Sequence, residues 1–171
     1  MRRSIRLLEE KEGDINFYEY KADDGIPLLI MKEYLLLKNE TFNAYENEYI
    51  EHLSEEDVHE YIASKNITNM YVMKVNGIMA GAILSCEKCA CVFMENITYN
   101  LRYEKFSPGI IIYDHYLKCM VEKSKQAVFL GGGDWEYKKR YSAVEDVVYE
   151  GRFYRSRLHM MLANLKVKLA I

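Results

Sequence analysis

The sequence predicts an α/β (α+β) fold, with a mixed, mostly antiparallel central sheet flanked by helices. Three observations carry that prediction. Residues 69–86 read as two strands hinged at Asn76-Gly77, the strongest short hairpin signal in the chain. A Leu-rich run of helical period precedes the hairpin, beginning just after Pro27. Beyond it, Ser107-Pro108-Gly109 opens another helical stretch, which leads into a short apolar run ending at a string of glycines.

The elements follow in order. Residues 15–22, INFYEYKA, are apolar and aromatic with partial alternation, as in a first strand. The stretch from Asp23 to Asn43 carries Asp23, Asp24 and Pro27 near its start and then the Leu-rich periodicity of a helix. Ser54 with Asp57 three residues on forms a capping box, so a second helix begins there and ends near Asn66. The period then changes to two. The hairpin strands and residues 90–100, reached through the turn CEKC, make a three-stranded meander. Residues 102–125 read as a loop followed by a helix, 126–133 as a short buried strand ending in glycine, and 144–157 as a last strand pair. The tail, 159–171, reads equally as helix or strand.

Size and charge narrow the function. A chain of 171 residues fits one domain, 1–171, with no linker, repeat or low-complexity segment. Half the residues are apolar and 29% are charged, the balance of a globular chain and not of a disordered one. A net charge of -3 argues against nucleic acid as a partner, which needs a basic footprint. The first residues are basic but lack the apolar core of a secretory signal, and no uncharged apolar run reaches bilayer length. The expected location is the cytoplasm. The triplets at Asn39, Asn66 and Asn96 that could accept glycans in a secreted chain are then incidental.

Cysteines stand at 86, 89, 91 and 119. Cys86-x-x-Cys89 could offer two thiolates to zinc, but a second pair is missing, so no metal is expected. Serine and cysteine also lack a convincing His/Asp partner set, which excludes a nucleophile triad. Asp114 and His115 are adjacent in a helix and so point apart, while His52 and His59 fall in a polar helix and read as surface residues.

The Ser107-Pro108-Gly109 junction is the most informative local feature. Serine is a good N-cap, proline suits the first helical position, and the glycine next to it leaves the backbone open to close approach. A helix start exposes unpaired N–H groups and partial positive charge, which suits an anion. Arg102 and Lys105 lie just upstream and can add charge.

The order of strand meander, strand, anion-ready helix start and further strand resembles the Gcn5-related N-acetyltransferase (GNAT) superfamily. The usual phosphate loop of that superfamily, Q/R-x-x-G-x-G/A, is missing. Ser107-Pro108-Gly109, the run Leu130-Gly131-Gly132-Gly133 and the pair Tyr137-Lys138 instead resemble the branch of cellulose-biosynthesis acetyltransferases and Fem-type peptidyltransferases, over about Val92 to Phe153. Many members of that branch carry an aspartate near the position of Phe129; here that role is vacant or falls to Asp134. Fem-type ligases that use aminoacyl-tRNA are built from two such units, and this chain holds one.

The resemblance implies an acyl-CoA-dependent N-acyltransferase that moves acetyl from acetyl-CoA to the amine of an amino sugar or another small metabolite. A non-catalytic CoA-binding or interaction module of the same fold, and a Fem-like aminoacyl transferase, are the alternatives. Beside the small-molecule amine and CoA, a second copy of the chain, as a homodimer, is a further candidate partner. Glu95 is the expected general base and Tyr137 the expected proton donor to the departing sulfur; Asn96 is a weaker candidate base. Ser107, Pro108, Gly109 and Ile110 at the helix start, with Arg102, Lys105, Lys138 and the strand residue Ile97, are expected along the cofactor. Lys139 and Arg140 read as a solvated face, and Trp135 as a residue that packs on substrate or closes the loop. The glycines are expected to end the strand and turn the chain beside the thioester.

Overall fold

The computed structural model describes residues 2–42, 50, 52–131, 138 and 141. The chain divides into two compact units, Met1–Lys138 and Lys139–Ile171, and every element described below belongs to the first. In chain order these are α1 (Arg2–Glu12), β1 (Ile15–Lys21), α2 (Leu28–Phe42), α3 (Glu55–Ser64), β2 (Asn69–Val75), β3 (Ile78–Lys88), β4 (Cys91–Tyr99), a 3-10 helix (Leu101–Phe106), α4 (Pro108–Glu122) and β5 (Ala127–Phe129).

Helix α1 is the element the sequence reading passes over, because its charged residues obscure a narrow apolar side. Leu8 is fully buried there, and Arg6 pairs with Glu10 one turn on at 2.8 Å. Gly13, with φ at +107°, ends the helix and donates its N–H back to the Glu9 carbonyl. The expected capping box of α3 is present: Ser54 Oγ accepts the Asp57 N–H and the Asp57 carboxylate accepts the Ser54 N–H. Asn66, just past the end of α3, adopts a left-handed backbone with φ at +52°.

The strands form one sheet in the order β1-β2-β3-β4-β5. The first three pairings are antiparallel and the last is parallel. Val75 and Ile78 close the hairpin around Asn76 and Gly77, whose φ angles are both positive, as a two-residue hairpin turn requires. Asn76 also donates its N–H to the Asp14 carbonyl and accepts the Asp14 N–H, which ties the start of β1 to the hairpin.

Helices cover both faces, which explains why β2 and β3 read as nearly unbroken apolar runs. On one face α2 and α3 close over Met70, Val72, Ala82 and Leu84 with the fully buried Tyr34. On the other α4 lies against Tyr71 and Gly81; a Cβ built at Gly81 would sit 3.5 Å from Ile112.

One strand differs from its expected form. Residues 126–133 read as a buried strand, yet β5 has three residues and Phe129 is 45% exposed. It is the outermost strand among the described residues, paired through β4 alone, so its apolar residues are covered on fewer sides. The strand pair expected at 144–157 and the tail at 159–171 lie outside the described residues.

Candidate active site

The site begins with a fault in the sheet. Leu84 pairs with Asn96 and Ser85 with Met94, so Glu95 is the extra residue of a β-bulge in β4. A bulge bends its strand and increases the local twist. On the opposite edge, β4 pairs with β5 through only three positions, the last being Phe93 with Phe129. Gly131 follows in a left-handed conformation, with φ at +74°, close against the Met94 carbonyl. The two strands therefore part at the bulge. From Glu95 to Tyr99, β4 runs on without a β5 partner, leaving an edge of backbone amides open among the described residues.

The second wall is the start of α4. After β4, Asn100 accepts the Arg102 N–H on its side-chain oxygen and donates its amide to the Met79 carbonyl, which anchors the 3-10 turn. Pro108 takes the first helical position, as expected. Ser107 does not cap by its side chain. Its backbone is left-handed (φ 56°, ψ 55°) because its N–H closes the preceding turn onto the Glu104 carbonyl, whereas a capping hydroxyl needs an extended backbone. The Ser107 carbonyl instead accepts the Ile110 and Ile111 N–H groups at 3.0 and 3.2 Å. The Gly109 N–H has no partner among the described residues. A Cβ at Gly109 would meet the Tyr99 ring at 3.2 Å, so the end of the open β4 edge packs directly on the helix start. Ile97, opposite Ile83 in β3, lies midway along that edge.

Charge surrounds this junction unevenly. Lys105 and Arg102 are exposed beside the helix start and both reach toward Glu12 at the end of α1, at 3.3 and 3.9 Å. Glu12 was not anticipated here, since only the fold brings α1 to the 3-10 turn. Glu95 is half exposed, and the Lys65 ammonium lies 3.9 Å from it, just past α3. Asn96, next to it, accepts a hydrogen bond from the buried Tyr34 hydroxyl at 3.2 Å. That contact ties Asn96 to α2.

Lys138 also departs from expectation. It is 8% exposed and donates to the Gly131 carbonyl at 2.9 Å, so its ammonium is turned inward and holds the chain that leaves β5. Tyr137, with Gly132, Gly133, Asp134, Trp135, Lys139 and Arg140, lies outside the described residues. At Phe129, near where the family resemblance leads one to expect an acid, the phenyl ring stacks on Phe93 with centroids 4.5 Å apart and planes within 4°. The strand reading could not single out Phe93, because the partnership depends on parallel register.

The remaining titratable cluster belongs elsewhere. His115 of α4 stacks on Phe17 of β1 at 3.7 Å, with its Nδ1 2.7 Å from the Tyr71 hydroxyl of β2 and 3.6 Å from the Cys119 sulfur. Burial holds the His115 imidazole below its ordinary pKa and pushes the Tyr71 and Tyr116 phenols above theirs. Strands β1 and β2 lie at the far end of the sheet from the β4–β5 mouth. Asp114 points away from His115 and pairs with Lys118 at 2.8 Å, and His52 and His59 are exposed. Cys86 and Cys91 flank a hairpin turn in which Cys89 has φ at +56°, and all four cysteines are free thiols. Among the described residues no group of three His, Cys, Asp or Glu side chains is placed to hold a metal, and no helix is long and apolar enough to cross a membrane.

Residues 1–139 match the family model described as an acetyltransferase (GNAT) domain. No curated protein sequence matches the chain. Several solved structures share the fold. An aminoglycoside acetyltransferase, meta-AAC0020, from an uncultured soil metagenomic sample and in complex with sisomicin, aligns with a TM-score of 0.59 at 13% identity, over 82% of this chain and 97% of that one. A ribosomal-protein-alanine N-acetyltransferase from Brucella melitensis biovar Abortus 2308 aligns with a TM-score of 0.55 at 11% identity, over 82% and 100%. The PaiA N-acetyltransferase of Thermoplasma acidophilum, in complex with coenzyme A, aligns with a TM-score of 0.51 at 16% identity, over 79% and 93%.

Proposed function

The chain belongs to the GNAT acetyltransferase family, and we propose that it transfers the acetyl group of acetyl-CoA to the amine of a small molecule in the cytoplasm, within one acyltransferase domain. The observation that carries this reading is the parting of β4 from β5 at Glu95 and Gly131, from which β4 runs on to Tyr99 against the start of α4.

The residues present suit the donor. Acetyl-CoA supplies a thioester, whose C–S bond is exchanged for a C–N bond to the acceptor. The open edge from Glu95 to Tyr99 offers backbone amides to the donor's own amides and, near Ile97, an N–H to its thioester carbonyl. The Gly109 N–H, with the helix dipole behind it, offers a partner for phosphate. The missing side chain at Gly109 lets Tyr99 pack on the helix start, Ser107 is exposed, and Pro108 and Ile110 are the proposed neighbours of the donor there. Arg102 and Lys105 add positive charge once drawn away from Glu12. Lys138 braces the chain at Gly131 beside this mouth.

The acceptor amine must be neutral to attack, and Glu95 stands at the bulge where it can take a proton, directly or through water. Tyr137, a few residues past Gly131, is the proposed donor of a proton to the departing sulfur. The proton account then balances: the amine loses one to the base and the thiolate gains one from the phenol. A Glu95→Gln variant tests the base. Thiol release from acetyl-CoA is followed with a panel of amines that includes the amino sugars implied by the family resemblance. The expected loss of rate is about 10²- to 10⁴-fold, with the melting shift produced by CoA retained. Full activity of Glu95→Gln across the pH range would remove Glu95 as base, and consumption of aminoacyl-tRNA in place of acetyl-CoA would favour a Fem-like reaction.

A further inference from the structure

The stacked pair of Phe93 and Phe129 forms an exposed aromatic shelf at the mouth between β4 and β5. We infer that this shelf receives a flat apolar group of the acceptor, so that preferred acceptors are primary amines carrying an aromatic ring a short tether away from the nitrogen. The inference rests on the acetyltransferase reading above and names the acceptor class within it.

Three observations support the shelf. The two rings lie parallel, 4.5 Å apart, and are 43% and 45% exposed, so they form one continuous apolar surface in place of two scattered contacts. They sit at the last β4–β5 pairing before the strands part, where an acceptor must enter to reach the thioester. The third observation is direction. Met94 is buried, opposite Ser85, whereas Phe93 and Glu95 on either side of it are exposed, so both project from the other face of β4. The Lys65–Glu95 approach identifies that face as the one bearing α3.

Rings and carboxylate are therefore neighbours on one face, with backbones about 6–7 Å apart at ordinary strand rise. That spacing suits an ammonium group tethered by two or three atoms to a ring on the shelf. The carboxylate complements the ammonium, and the 3.9 Å pair with the half-exposed Lys65 is weak enough to give way. A polyhydroxylated amino sugar fits less well. Its hydroxyls would lose water against two phenyl faces and find, among the described residues, Glu95, Asn96 and Lys65 as polar side chains, with Asn96 already engaged by Tyr34. An acid at residue 129 would offer such hydroxyls an acceptor; the phenyl ring offers none.

A purely structural alternative is that the stack only fastens the three-residue β5 to β4. The two roles separate in a steady-state comparison of 2-phenylethylamine with glucosamine, using the full chain as wild type, Phe93→Leu, Phe129→Leu and Phe129→Tyr. The melting shift on adding CoA is recorded for each. Wild type is expected to favour 2-phenylethylamine by about tenfold or more in kcat/KM. Each leucine variant should lose that preference through a rise in KM for 2-phenylethylamine several-fold larger than any rise for glucosamine. Phe129→Tyr, which keeps the ring, should retain it. Equal or better use of glucosamine by wild type overturns the inference, as does an equal loss toward both amines in the leucine variants. If CoA gives wild type no melting shift, the acetyltransferase reading fails and takes the inference with it.

Discussion

Gly131 lies so close to the Met94 carbonyl that a Cβ added to it would stand 3.2 Å from the oxygen, and its φ of +74° suits a residue without a side chain. This contact is the point at which β5 lets go of β4. Gly131→Ala should therefore cost about 1–2 kcal/mol, since an L side chain pays for the left-handed backbone and the carbonyl must also move. Urea unfolding measures it. Alanine for glycine at an ordinary backbone angle stabilises instead, so unchanged or increased stability would show that the turn is relaxed in solution.

With Lys105 and Arg102 as the proposed phosphate cations, their ion pairs with Glu12 set up a competition. Glu12→Gln should tighten CoA binding by about two- to fivefold at low salt, the range expected of exposed ion pairs, and the gain should fade in high salt. Titration calorimetry at two ionic strengths tests this. Weaker binding at low salt would mean that Glu12 positions the cations productively.

The buried Tyr34 hydroxyl holds Asn96 beside the bulge. Tyr34→Phe removes that donor with little change in volume and should destabilise the fold by about 1 kcal/mol. It should also reduce turnover, because the backbone at Glu95 loses a neighbour that fixes it. Chemical denaturation and thiol release measure the two effects, and a variant with wild-type values in both would show that the contact has no role.

Far from the mouth, the His115 imidazole is depressed by burial and by Lys118, against the smaller opposing pull of Glu122 and Asp114. Its Nδ1 faces the Tyr71 hydroxyl, which donates to it while that nitrogen is unprotonated. As pH falls through the ordinary histidine value of about 6.5, the unfolded chain binds the proton before the folded one does. Stability is thus fully present above that value and declines below it, until the folded-state pKa is reached. Melting temperatures across that window should fall more steeply for wild type than for His115→Asn. Parallel curves would contradict the assignment.

Much of this architecture is legible in the residues. Ser54 with Asp57 and Asn76-Gly77 are local signals whose chemistry is complete within four residues, so the helix start and the hairpin follow from them directly. Pro108 and Gly109 locate the start of α4 for the same reason. Ser107 misled because its identity suits a cap while the preceding 3-10 turn sets its backbone angles. Glu95 is visible as an acid in an apolar strand, but its place in a bulge depends on register with β3, which no local pattern encodes. The same holds for Phe93 with Phe129, for Glu12 with Lys105, and for the inward turn of Lys138. Each joins residues whose meeting is decided by strand pairing or chain reversal.

Hydrogen–deuterium exchange with and without acetyl-CoA tests the central claim most directly, because it locates the donor without altering a residue. Protection is predicted in peptides covering Glu95 to Tyr99 and Ser107 to Ile110, with none in Phe17 to Lys21 at the far edge of the sheet. No protection at the first two segments, or protection confined to β1, would contradict the assignment of the β4 mouth and the α4 start as the acetyl-CoA site.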